Sequence, residues 1–128
     1  MRRLPTPEFA WIEVDTYDAA RIPPGPWLAL HEDALTLPPL AYELATGPSG
    51  PQAFTLDRHL GVQFHPEATS TLLANWISDR RDILADVSAR LLAGARDAAL
   101  EAHAAAARLF DGFAGQAGLW IRDELVLR

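Results

Sequence analysis

Four histidines are the side chains best suited to proton transfer near neutral pH: His31, His59, His65 and His103. Two of them close short apolar runs and are followed closely by acids, as His31-Glu32-Asp33 and His65-Pro66-Glu67. Strand ends are where α/β folds place ligands and reacting groups. On extended backbone, residues i and i+2 project to the same side. Pro66 fixes its own φ and biases His65 toward extended geometry. Glu67 can therefore turn back and accept a hydrogen bond from one imidazole nitrogen of His65. That bond fixes the tautomer and leaves the other nitrogen free as a base.

A base with its orienting acid needs a nucleophile to activate, and the chain contains no Cys. Ser49, Thr69, Ser70 and Ser78 fall in predicted turns or at helix starts, where capping accounts for them. His103 lies among alanines of a helical stretch and reads as a solvated helix position. His59 follows Asp57-Arg58 in a predicted turn and reads as a surface position. Two histidines and a carboxylate can hold zinc in principle. The spacing of His31, His59, His65 and Glu67 fits no recognised metal signature, so neither a metal nor a cofactor is expected.

At 128 residues the chain has room for one domain, and 49% of it is hydrophobic, enough for a core. The net charge is −6, which argues against a nucleic-acid ligand. All 11 basic residues are Arg, which excludes a P-loop lysine or a Schiff base. The absence of Cys excludes disulfides and thiolate zinc sites. No apolar run reaches the length of a membrane span, and Met1-Arg2-Arg3-Leu4-Pro5 lacks the apolar stretch of a signal peptide. The expectation is a cytoplasmic protein that binds neither membrane nor nucleic acid.

The elements that would position these groups fall into two stretches. Up to about position 64 the text is proline-rich and strand-like. Strands are expected over 9–15, 27–31, 42–46, 52–56 and 60–64, the third and fourth joined by the loop Gly47-Pro48-Ser49-Gly50-Pro51. From Ala68 the apolar period becomes helical. Thr69 or Ser70 can cap a short helix bearing Leu72, Leu73, Trp76 and Ile77. A longer helix is expected from about Asp79 to Phe113, with Gly94 breaking or weakening it, and a short apolar strand or turn over 119–127.

The longer string Gly61-Val62-Gln63-Phe64-His65-Pro66-Glu67 resembles the signature of the class I glutamine amidotransferases, as in the glutaminase domain of GMP synthase. Upstream, Glu8-Phe9-Ala10-Trp11-Ile12-Glu13-Val14 is similar to that family's strand following the nucleophile region. His31-Glu32-Asp33-Ala34-Leu35-Thr36-Leu37-Pro38 is similar to its His-x-Asp-x-x-x-x-Pro segment. Ala41, Leu44-Ala45 and Gln52-Ala53-Phe54 follow in the usual order, so the likeness covers about residues 8–77.

The resemblance implies an α/β, flavodoxin-like fold with a mostly parallel sheet, of which this chain carries the C-terminal half. Residues 1–78 would form that half and residues 79–128 a helical C-terminal extension of the same domain. It also implies glutamine as substrate and a covalent mechanism. A cysteine thiolate attacks the side-chain amide, ammonia leaves, and water hydrolyses the thioester. His65 matches the histidine that moves the proton, and Glu67 the glutamate that orients it. His31 and Asp33 match a segment close to the substrate pocket.

The family's cysteine sits in a Gly-x-Cys-x-Gly turn upstream of the first motif present here. The nucleophile and its oxyanion donors are therefore expected outside these residues, and the chain alone is expected to be inactive. Leu60, Val62 and Phe64 would then line an unpaired apolar sheet edge, to be covered by a partner chain or by self-association. The alternatives are a non-catalytic interaction subunit and one half of a split glutaminase that pairs with a cysteine-bearing chain.

Overall fold

Pro5 and Pro7 cannot donate to a β-ladder, yet the first strand, β1, spans Arg2–Ile12 in a computed structural model that describes residues 1–116. The register explains how. Arg2 and Arg3 pair with Ala34 and Asp33 of β3 (Trp27–Ala34), and pairing resumes only at Glu8, opposite His31. The prolines lie in the irregular stretch between, where a strand tolerates a missing donor. β1 therefore starts earlier than the sequence pattern indicated and ends at Ile12. A two-residue strand β2 (Asp15–Thr16) follows.

β2, β4 (Tyr42–Gly47), β5 (Gly50–Leu56) and β6 (His59–Val62) form a second sheet in the order β2-β4-β5-β6. Every named ladder is antiparallel, so the mostly parallel sheet that the resemblance implies for the whole fold is not seen among the described residues. The connections account for it: β4 to β5 and β5 to β6 each turn through two residues, too short for a crossover. Of the apolar edge expected at Leu60, Val62 and Phe64, only the Phe64 part is corrected, since β6 is the last strand in the sheet order. β6 pairs with β5, and Leu60 and Val62 pack partly buried against the core. Phe64 is buried and stacks on Trp27, with ring centroids 4.4 Å apart.

Three helices complete the described chain: α1 (Ser70–Asp79), α2 (Arg81–Leu84) and α3 (Ser88–Gln116), with a 3₁₀ turn over Ala85–Val87 between the last two. The single long helix expected from Asp79 is thus divided, and α3 runs through Gly94 without a break. The strand or turn expected over 119–127 lies outside the described residues.

Successive residues of β3 point to opposite faces and feed two apolar clusters. Trp27 joins Val14, Ile22, Leu44 and Phe64, closed by Ala105 and Leu109 of α3. Leu28 joins Leu73, Leu84, Leu91 and Ala95. Each end of α3 therefore seals one cluster through an i, i+4 pair. Its register on β1 is set at Gly94, whose missing side chain leaves room for the Trp11 ring. The Trp11 indole N–H also donates to the Leu91 carbonyl at 3.0 Å.

Candidate active site

The backbone of His65 is tied on both sides. Beyond β6, the Gln63 N–H donates to Gln52 at 2.8 Å, and Phe64 drops into the core. The His65 N–H then donates to the Leu28 carbonyl of β3 at 2.9 Å, and the His65 carbonyl accepts from Ala68 at 3.3 Å. Pro66 adds a fixed φ immediately afterwards. The next turn ends in Thr69, whose hydroxyl accepts from the Leu72 N–H at 3.1 Å and caps α1. A strand end, a proline and a helix cap thus hold three consecutive residues with little freedom.

On this frame the His65 and Glu67 side chains meet, as the i, i+2 argument required. Nδ1 of His65 lies 2.8 Å from Oε1 of Glu67. An ionised carboxylate only accepts, so Nδ1 carries the proton and Nε2 presents its lone pair. Nε2 has no hydrogen-bond partner among the described residues. The imidazole is 31% exposed and Glu67 50%, so the pair is open to an incoming group. The Trp76 ring backs the imidazole, with centroids 5.0 Å apart and planes inclined at 54°. Beside Glu67 runs a cavity of about 370 Å³, walled by Trp11, Ala102, Ala106 and Phe110, with His103 in its lining. The arrangement can accept a proton at Nε2 and stabilise the resulting imidazolium through Glu67.

His31 has a different environment. Its side chain is 8% exposed and both ring nitrogens are engaged: Nδ1 with the Asp33 carbonyl at 2.7 Å, Nε2 with Glu8 Oε1 at 2.8 Å. The Ser49 hydroxyl donates to the same Glu8 oxygen at 2.9 Å, and the Gln52 amide donates to Ser49 at 2.9 Å. Gln52 is fully buried, and its Oε1 has no partner among the described residues. This chain of bonds ties β3 to β1 and to the β4–β5 turn. His31 also forms part of the wall of a second cavity of about 370 Å³, shared with Phe9, Leu30, Glu32 and Trp76. The Asp33 carboxylate lies 3.8 Å from Arg3 and is partly exposed. His59 and His103 are exposed. Among the described residues, no three His, Asp or Glu side chains converge as a metal site would require.

Sequence reasoning missed Glu8 as the partner of His31, and Ser49 and Gln52 behind it. The signal was antiparallel register, which sets Glu8 directly opposite His31 and cannot be read before the strand pairing is known. Trp76 was read only as a core position of α1. One turn beyond Leu73, it also reaches the imidazole.

No family model matches the chain, and none of the curated proteins does. Solved structures do match. A glutamine amidotransferase from Thermotoga maritima superposes with a TM-score of 0.75 at 21% identity, covering 88% of this chain and 53% of that one. A glutamine amido transferase from Methylobacillus flagellatus gives a TM-score of 0.56 at 20% identity, covering 86% of this chain and 54% of that one. The chain thus spans about half the length of these structures, and it shares their fold over that half.

Proposed function

We propose that this chain is the proton-transfer half of a class I glutamine amidotransferase. His65 acts as general base and acid, Glu67 orients it, and the thiolate comes from polypeptide outside these 128 residues. The observation that carries the reading is the 2.8 Å bond from Nδ1 of His65 to Glu67, which leaves Nε2 unpartnered. The half-length likeness to glutamine amidotransferases supports the same chemistry.

With a thiol placed against Nε2, the imidazole takes its proton. The thiolate attacks the glutamine amide carbon, and the imidazolium returns the proton to the departing ammonia. Water then releases glutamate by the same route. His31 and Asp33 border the substrate's space from the end of β3, His31 as a fixed part of the wall and Asp33 at the solvent edge. Residues 79–116 act as a helical extension packed on the domain of residues 1–78. The work is done in the cytoplasm, where a catalytic thiol stays reduced.

The decisive experiment is a glutaminase assay on the purified chain, alone and mixed with a cysteine-bearing N-terminal half of the same fold. The chain alone should release no ammonia above buffer. The mixture should gain turnover that disappears with His65→Ala. Thiol-independent turnover by the chain alone would overturn the proposal. A partner that binds tightly without any gain in turnover would favour the non-catalytic interaction subunit.

A further inference from the structure

We infer that Trp76 is the positioning residue that holds the His65 imidazole in the plane where Nε2 can meet a nucleophile. The inference rests on the proposed role of His65 and adds a residue to that site. The bond to Glu67 alone is a weak restraint, because both partners are partly open to water, which competes for it. An imidazole held by one such bond can still rotate about Cβ–Cγ. The indole supplies a second restraint from another direction.

Its ring lies 5.0 Å from the imidazole at a 54° tilt, within the roughly 6 Å over which an aromatic face also favours a cation. The indole itself is held in place. Trp76 packs against the cluster of Leu28, Leu73, Leu84 and Leu91, on a helix whose first turn is capped by Thr69. The cap stands two residues beyond Glu67, so one short segment sets the acid, the helix start and the backing ring together. Trp76 also lines the cavity that includes His31, and so its indole contributes to both histidine environments. In the proposed mechanism this contact strengthens as Nε2 takes its proton.

The test uses the full 128-residue chain, ¹⁵N-labelled, with long-range ¹H–¹⁵N NMR of the imidazole, and requires no activity. In the wild type the Nδ1–H tautomer of His65 should dominate, and cross-relaxation should connect its ring protons with the indole of Trp76. Trp76→Leu should lower the ratio of that tautomer to its alternative about fivefold, the loss of one aromatic contact, while the fold stays intact. Trp76→Phe should restore most of the ratio. If Trp76→Leu does not fold, Trp76→Met fills the volume without a ring and should show the same fall. A folded Leu or Met variant with the wild-type ratio overturns the inference, as does a wild type without contact between the two rings. Failure of the glutaminase reading would appear in the ammonia assay and leave these spectra unchanged.

Discussion

Replacing Gly94 with Ala sets two well-known effects against each other, and the structure decides the sign. Ala is favoured over Gly inside a helix by about 1 kcal/mol, so an isolated α3 would gain. In the folded chain a Cβ at position 94 would lie 2.4 Å from Cδ1 of Trp11 and 3.0 Å from its Nε1. Ordinary carbon contacts are about 3.5–4.0 Å, so the ring must retreat by roughly 1 Å. It has little freedom to do so, because its N–H is bonded to the Leu91 carbonyl at 3.0 Å. Overpacking of this kind costs about 1–3 kcal/mol, and losing the indole bond adds about 1 kcal/mol. The net loss is about 1–3 kcal/mol, a fall in Tm of about 4–12 °C for a domain of this size. Urea and thermal unfolding followed by far-UV circular dichroism measure it. Gly112→Ala is the control: its Cβ would meet nothing closer than the Ala20 carbonyl at 3.7 Å, so only the helix gain remains. A Gly94→Ala chain as stable as the wild type, or more so, would refute the packing argument.

Under the proposed function, Glu67→Gln should lower the glutaminase rate of the assembled enzyme by about 10²–10⁴ while moving Tm by less than about 1 kcal/mol allows, since the pair is half open to solvent; a wild-type rate would remove Glu67 from the proposed mechanism. Glu8→Ala leaves the His31 and Ser49 side chains short of a partner in a nearly buried network, and unfolding should show a loss of about 1–3 kcal/mol. Phe64→Ala removes the ring stacked on Trp27 and should cost about 3–5 kcal/mol in the same assay. The Asp82 carboxyl is held below the usual range by its hydrogen bond to Arg80. The stability it contributes is complete above the ordinary carboxylate pKa and is lost as pH falls through the lowered value. Asp82→Asn should therefore flatten the acid limb of the Tm-against-pH curve, and an unchanged limb would show that the pair contributes nothing measurable.

What could be read from the sequence was what depends on neighbours along the chain. The His65–Glu67 contact follows from two-residue periodicity and a proline, both local. So do the Thr69 cap and the β4–β5 hairpin, since hydroxyl caps and Gly-Pro turns act over a few residues. What could not be read was pairing across distance. Nothing near Arg2 announces that it will lie opposite Ala34, and Pro5 and Pro7 argue locally against the strand that contains them. The division of the last helix was equally hidden. Residues 81–87 carry the apolar spacing of a continuous helix, yet the chain tightens into a 3₁₀ turn just after Leu84, which is buried in the cluster around Leu28.

The same distinction bears on how the two histidines should be weighed. Both depend on β3: His31 stands in the strand, and His65 is hydrogen-bonded to it at Leu28. Their local sequences look alike, a histidine at the end of an apolar run followed by acids. Their environments separate them. His31 spends both nitrogens on acceptors inside the fold, so any proton it exchanged would break a bond that joins β1, β3 and the β4–β5 turn. His65 spends one nitrogen and keeps the other open. A group that must give and take a proton in each turnover needs the second arrangement, and a group that must keep β3 fixed beneath it is served by the first. Under the proposed function, His31→Gln should therefore weaken the assembled glutaminase through stability and KM, whereas His65→Gln should abolish kcat with Tm nearly unchanged. A folded His31→Gln enzyme with kcat lost and KM intact would reverse the assignment.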